Sequence, residues 1–209
     1  MPKLLPLLAA ILATLAAPCA HAQEDLAGLA KKGMSLIEPY ATLSDGSHDA
    51  PYTEKDPLTD KARADLREGI AILSRITAQR PDFWPGFLFI GMAHQASGDH
   101  ATAYEDFKKA YELHPPIQSG ASREFALEAL CTHHDDEAVA AARKDVAEHP
   151  DDAVLAANLG YVLLGVGQVD AAQEAASRAL LLAPSDQMTP GLMRDILGVR
   201  AGTVVARRC

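Results

Sequence analysis

Aromatic residues are scarce, at 5% of the chain with a single tryptophan, and alanine fills the space they leave. Sheets favour aromatic and β-branched side chains, whereas alanine is the strongest helix former, so this balance argues for helix. Cysteine is scarcer still: Cys19, Cys131 and Cys209, with no C-x-x-C spacing among them. G-x-S-x-G, H-E-x-x-H and a phosphate-binding loop are missing as well, which removes the motif-bearing hydrolases, zinc proteases and nucleotide enzymes. No Lys/Arg-rich run interrupts a net charge of −9, so a polyanion would be repelled and nucleic acid is not an expected partner. No apolar stretch reaches the ~20 residues that cross a bilayer, and no transmembrane segment is expected.

What the chain does contain begins with a leader. Lys3, the apolar run Leu4–Ala17 and then Ala20-His21-Ala22 have the layout of a secretory signal with an A-x-A cleavage site. Residues 1–22 are therefore expected to be removed after Ala22, and the mature protein to be exported to the periplasm. Lipidation at Cys19 is not expected, because Pro18 stands where a small residue belongs. Over residues 23–57 an amphipathic helix from Glu24 to Glu38 is followed by a linker rich in Ser, Asp, Gly and Pro. Tyr40 and Tyr52 are placed to fasten that linker to the rest, and Asp56-Pro57 reads as a helix start.

Four prolines then set a period. Pro81, Pro115, Pro150 and Pro184 lie 34, 35 and 34 residues apart, each closing a segment with the periodicity of two short helices. A period in this range marks stacked units, because one helical hairpin cannot bury its own apolar face. The first full copy reads Phe87-x2-Ile90-Gly91-x2-His94, then Ala103-x3-Phe107, Ala110 and Pro115. The third reads Ala156-x2-Leu159-Gly160-x2-Leu163, then Ala172-x3-Ala176, Ala179 and Pro184. Between them, Ser122, Phe125, Ala126, Ala129, Ala138, Ala142 and Pro150 follow the pattern less closely, with Asp145 where the other copies have alanine. This pattern resembles the tetratricopeptide repeat, W-x2-L-G-x2-Y, A-x3-F, P.

The resemblance implies an all-α, short right-handed solenoid of helix-turn-helix repeats with capping helices at both ends. Residues 58–184 would form it, as a half repeat at 58–81 and full repeats at 84–117, 118–151 and 152–185; a capping helix and basic tail would occupy 186–209. Phe87, Gly91, Ala103, Phe107, Ala110, Pro115, Ala126, Ala138, Pro150, Leu159, Gly160, Ala172, Ala179 and Pro184 would pack the repeats together. A concave groove would be lined by Leu88, Met92, Gln95, Arg123, Leu127, Leu130, Ala157, Tyr161 and Leu164, mostly apolar with one cation. Such a lining suits a protein or peptide segment with an acidic group for Arg123. The expected role is a binding scaffold, not an enzyme, with no cofactor. A structural subunit whose groove is self-filled is one alternative, and a metal-binding protein or metal-dependent enzyme using His133 and His134 is another.

Chemistry of another class would have to come from Glu128, Cys131, His133, His134, Asp135 and Asp136. His and carboxylate groups ligate metals where three or four converge. Register offers a simpler account: His133-His134 align with Gly98-Asp99 and Gly167-Gln168, a turn between helices, and Asp135 or Asp136 would cap the next helix. His114 and His149 each precede a closing proline, and His94 replaces the family's aromatic. Once the leader is gone, Cys131 and Cys209 could pair and tie the tail to the middle repeat, or Cys209 could stay free and link two chains. Thr189-Pro190 reads as a second helix start, and Arg200, Arg207 and Arg208 as a solvated, frayed tail.

Overall fold

The computed structural model describes residues 20–41, 58–113, 115 and 120–208. Among these there are nine helices and no strand. They are α1 (Ala20–Ile37), α2 (Asp60–Gln79), α3 (Trp84–Ala96), α4 (His100–Glu112), α5 (Ala121–Cys131), α6 (Asp135–Glu148), α7 (Ala153–Gly165), α8 (Val169–Leu182) and α9 (Thr189–Arg200). The chain divides after Ala121 into two compact units, the first holding α1–α4 and the second essentially α5–α9. No helix among the described residues is long and apolar enough to cross a membrane. The run Leu4–Ala17, Cys19, Tyr52, Asp56-Pro57, His114 and Cys209 lie outside the described residues.

In the first unit α2 packs on α1 and α3, and α3 on α4. Helix α2 buries Ala62, Leu66, Gly69, Leu73 and Ile76 at spacings of three and four, the stripe that makes a helix one-sided. It begins later than Asp56-Pro57 suggested: Thr59 is its N-cap, accepting the Ala62 amide at 3.1 Å. Helix α1 likewise starts before Glu24, at Ala20. Tyr40 fastens the segment after α1 by donating its hydroxyl to Asp65 Oδ2 at 2.6 Å. Helix α3 is apolar on every side, so it must lie between neighbours, and Leu88, Phe89, Ile90 and Met92 are all buried. At Gly91 a Cβ would stand 2.7 Å from Cδ1 of Phe107, itself fully buried, so only glycine lets the α3 backbone meet that ring.

The second unit repeats the arrangement. Helix α7 is apolar all round and packs on α6, α8 and α9. Ala156, Ala157 and Ala179 form its tight contact with α8, joined by Leu182. The turns between paired helices show the register in the backbone itself. Gly98, His133 and Gly167 all take positive φ, at 77°, 63° and 82°, the left-handed conformation that ends a helix.

Several expected details are corrected. His134 occupies the N-cap of α6 without a side-chain bond, and Asp135 and Asp136 fall in the first turn, where they face the positive helix end. Thr189 is the first residue of α9; the cap is supplied by the Asp186 carboxylate, which accepts the amides of Met188 at 3.1 Å and Thr189 at 2.7 Å. The basic tail is not frayed: Arg200 bonds Asp170 and Gln173, and Arg208 bonds Asp135. Of the expected packing residues, Gly91, Ala103, Phe107, Ala110, Ala126, Ala138, Gly160, Ala172 and Ala179 are buried. Phe87, Leu159 and Pro115 are only half-buried, and Pro150 and Pro184 are exposed, because the prolines stand past the helix ends.

Candidate functional site

Polar side chains are rare inside the second unit, and most of them meet in one place. A small indentation, with free interior for about one water molecule, is lined by Arg123, Ala126 and Leu127 of α5, Ala142 and Asp145 of α6, and Leu155, Asn158 and Val162 of α7. Two buried donors at this indentation have no hydrogen-bond partner: Arg123 Nε and Asn158 Nδ2. The Arg123 guanidinium is otherwise held by its Nη2, 3.4 Å from Oε1 of the fully buried Glu124. That distance is long for a charge-assisted bond.

Asp145 closes the other wall. Its carboxylate accepts the Ser122 hydroxyl, which lies 2.8 and 2.7 Å from its two oxygens, and both residues are 6% exposed. Burial pushes the Asp145 carboxyl above the usual carboxylate range, and the Ser122 bond pulls it partly back. The pair has a positional logic. Ser122 and Asp145 occupy the positions that Ala156 and Ala179 hold in the third repeat, where two alanines pack directly. In the middle repeat a buried hydrogen bond replaces that apolar contact.

The residues expected to line a groove are distributed unevenly. Leu88 and Met92, in the first unit, are core, and Gln95 beside them is half-buried. In the second unit Arg123, Leu127 and Tyr161 are half-buried and reachable, Ala157 and Leu164 are at the edge of the core, and Leu130 is fully buried. Burial also pushes the Tyr161 phenol up, with the Arg207 charge acting in the opposite direction. Asn158 was not among the expected residues. Its signal was available, since it is the single carboxamide in the otherwise apolar helix Ala153–Gly165.

The histidine cluster turns outward in several directions. His133 Nδ1 lies 2.8 Å from the Arg208 guanidinium, which can only donate, so that nitrogen is the acceptor. His134 Nδ1 instead faces the Thr132 hydroxyl at 2.9 Å. Glu128 is fully buried, and Cys131 is disulfide-bonded, so its sulfur is not a thiolate ligand. Asp135 is taken by Arg208, through bonds of 2.8 and 2.6 Å.

A family description, the tetratricopeptide repeat, matches residues 86–116, which span α3 and α4 with Gly91, Ala103, Phe107 and Ala110. The chain carries a tetratricopeptide repeat. No curated protein matches it. Among solved structures, MamA from residue 41 onward, from Desulfovibrio magneticus RS-1, is similar with a TM-score of 0.56 and 23% identity, covering 68% of this chain and 78% of that one. A thermophilic TPR protein from Thermus thermophilus gives 0.51 and 18%, covering 70% and 84%. YrrB, described as a TPR protein with an unusual peptide-binding site, gives 0.54 and 11%, covering 78% and 86%. At these identities the likeness concerns the fold, which is all-α and of tetratricopeptide type.

Proposed function

We propose that this tetratricopeptide-repeat protein is a non-enzymatic scaffold that holds a protein or peptide segment against α5 and α7 of its second unit. The observation that carries this reading is the pair of unpartnered buried donors, Arg123 Nε and Asn158 Nδ2, at one indentation. A buried donor left unpaired costs about 1–3 kcal/mol, so an arriving carbonyl or carboxylate oxygen recovers that cost for each. Leu127 and Tyr161 give the same face an apolar floor, suited to an amphipathic or extended segment. The signal-like leader places the protein, on this reading, in the periplasm after cleavage at Ala22, which N-terminal sequencing of the exported chain tests directly.

Screening acidic and neutral peptides against the purified chain by fluorescence anisotropy tests the binding role. Asn158→Ala and Arg123→Gln each weaken a bound peptide by roughly 5- to 150-fold, the equivalent of one lost acceptor contact. Both variants keep the wild-type helical content. Binding that neither substitution alters would refute the placement. The alternative, a structural subunit with a self-filled groove, draws on one specific observation: the tail of the second unit runs back onto the end of this face.

A further inference from the structure

The middle repeat carries charge where the third repeat carries none. Ala156 and Ala179 of the third repeat correspond to Ser122 and Asp145, so an acid lines the indentation at a position where a methyl group would otherwise lie. Facing the same space are two donors without partners, Arg123 Nε and Asn158 Nδ2. Neither atom can accept, so what both lack is an oxygen with free lone pairs. Asp145 does not supply it. Its two carboxylate oxygens accept the Ser122 hydroxyl at 2.8 and 2.7 Å, and neither donor reaches them. The acid is 6% exposed, so its charge acts across the indentation with little water to screen it. The Arg123 charge is already faced by Glu124, whose Oε1 is 3.4 Å from Nη2. One cation and two carboxylates therefore stand at the site, and a third carboxylate brought in meets like charge.

Size works in the same direction. The interior has room for about one water-sized oxygen, and the rest of the lining, Ala126, Leu127, Ala142, Leu155 and Val162, is apolar. A carboxylate entering by one oxygen would lay its second, equally charged oxygen against those side chains with no donor to receive it. An amide carbonyl brings a single oxygen, no net charge, and two lone pairs for the two donors. The described tail does not cover this place. The Arg207 carbonyl oxygen lies 3.3 Å from where a Cβ on Gly165 would stand, and the Arg208 carbonyl oxygen 3.3 Å from Cys131 Sγ. Both contacts are at the C-terminal ends of α7 and α5, past the lining residues.

We infer that Asp145 is a specificity-determining residue of the scaffold: it makes the Arg123–Asn158 indentation receive the neutral amide carbonyl of a peptide segment and turn away a carboxylate. This rests on the scaffold reading and adds to it the class of group received. The discrimination comes from a repulsive element placed beside an attractive one, since two donors and a cation alone would favour an anion. Ser122 holds that element in place, because its hydroxyl bonds both Asp145 oxygens and keeps the carboxylate in the wall. The third repeat, with alanine at both positions, has no such filter.

The test uses the full chain, isotopically labelled for NMR, and two small probes at matched ionic strength and neutral pH: N-methylacetamide for the amide carbonyl and acetate for the carboxylate. N-methylacetamide shifts the side-chain signals of Arg123 Nε–H and Asn158 Nδ2–H along one saturating curve. Acetate needs a concentration at least about 10-fold higher to shift them, the effect of one unit charge nearby at an effective dielectric constant of about 20. Asp145→Asn, which keeps an acceptor for Ser122, removes that charge and brings the two probes within about threefold of each other. The double variant Ser122→Ala, Asp145→Ala does the same with the third repeat's alanines, and circular dichroism shows which variants are folded. Acetate that binds wild type as well as N-methylacetamide does, an unchanged preference in a folded variant, or no shift with either probe overturns the assignment. The scaffold reading is judged separately, by peptide anisotropy with Arg123→Gln and Asn158→Ala. An acidic peptide that both of those substitutions weaken leaves the scaffold standing while this assignment falls. Peptides that neither alters, with the probe preference intact, do the reverse.

Discussion

The exchange of Ala156 and Ala179 for Ser122 and Asp145 in the middle repeat predicts a strong coupling between two residues that sit 23 positions apart. Removing the hydroxyl alone, by Ser122→Ala, leaves a 6%-exposed carboxylate without its donor. A hydrogen bond to a charged group contributes about 1.5–3 kcal/mol. Removing the carboxylate alone, by Asp145→Ala, strands a buried hydroxyl and costs about 1–3 kcal/mol. The double variant restores the alanine pair that the third repeat already uses, and replacing both partners by apolar groups is nearly neutral. At about 2–4 °C per kcal/mol for a chain of this size, Ser122→Ala lowers Tm by about 3–12 °C, while the double variant stays within about 3 °C of wild type. Differential scanning calorimetry of the four proteins gives the cycle, and the coupling energy should exceed about 1.5 kcal/mol. Asp145→Asn supplies a further arm. Because burial raises the folded Asp145 carboxyl above its unfolded value, its ionisation opposes folding; stability is regained as pH falls through the folded pKa. The amide removes that acid-side gain. Additive single losses in the double variant would refute the reasoning, since they would mean that the two side chains act independently.

Two further outcomes follow from the first unit. Gly91→Ala forces a Cβ to within 2.7 Å of the Phe107 ring, which has no free space to enter, and overpacking of this kind costs about 1–3 kcal/mol, read as a lowered midpoint in urea. His94 donates from Nδ1 to Asp106 Oδ2 at 2.7 Å when charged, and that bond holds its pKa above the ordinary histidine value, with Asp99 adding to it. The stability from the charged pair is complete below about pH 6.5 and is lost as pH rises through the folded pKa, so wild type weakens relative to His94→Gln across that window. Equal Tm dependence of the two proteins between pH 6 and pH 8.5 would exclude the ion pair as the cause.

The fold was legible because its determinants are local. A glycine about one and a half turns before a helix end, an alanine at a crossing and a left-handed residue between helices each act within a few residues, so their repetition survives in one dimension. Gly98, His133 and Gly167 are the clearest case: the alignment puts all three at the turn between helices, and there all three take the left-handed backbone. The boundaries were less legible, since capping is decided by whichever oxygen reaches the free amides. Thr59 and Asp186 reach them at α2 and α9, although proline-bearing pairs nearby looked better placed.

The candidate site was legible residue by residue but not as an arrangement. Arg123 and Leu127 could be assigned to a face by the resemblance to the tetratricopeptide repeat, and Asp145 stood out as an acid in an alanine position. That Asp145 answers Ser122, and that Asn158 shares an indentation with Arg123, depends on three helices meeting, which periodicity does not encode. The tail illustrates the same limit more sharply. Three arginines after the last apolar face read as solvated, because nothing within a few residues competes with water for them. Their partners are distant in sequence: Asp170 for Arg200, and Asp135 and His133 for Arg208. A turn at Gly202 that points the chain back across its own unit converts those long separations into contacts of 2.6 to 2.8 Å at Asp135. The same reversal explains why the middle repeat can tolerate a histidine where glycine is easier: a ring that strains the turn by about 1–2 kcal/mol gains a partner that only the folded tail can bring. The departures from the repeat pattern at Ser122, His133 and Asp145 thus all fall on the middle repeat, in the unit that holds the unpartnered donors. Uniform repeats would need none of them, and a stack built only for stability would have kept glycine and alanine in their place.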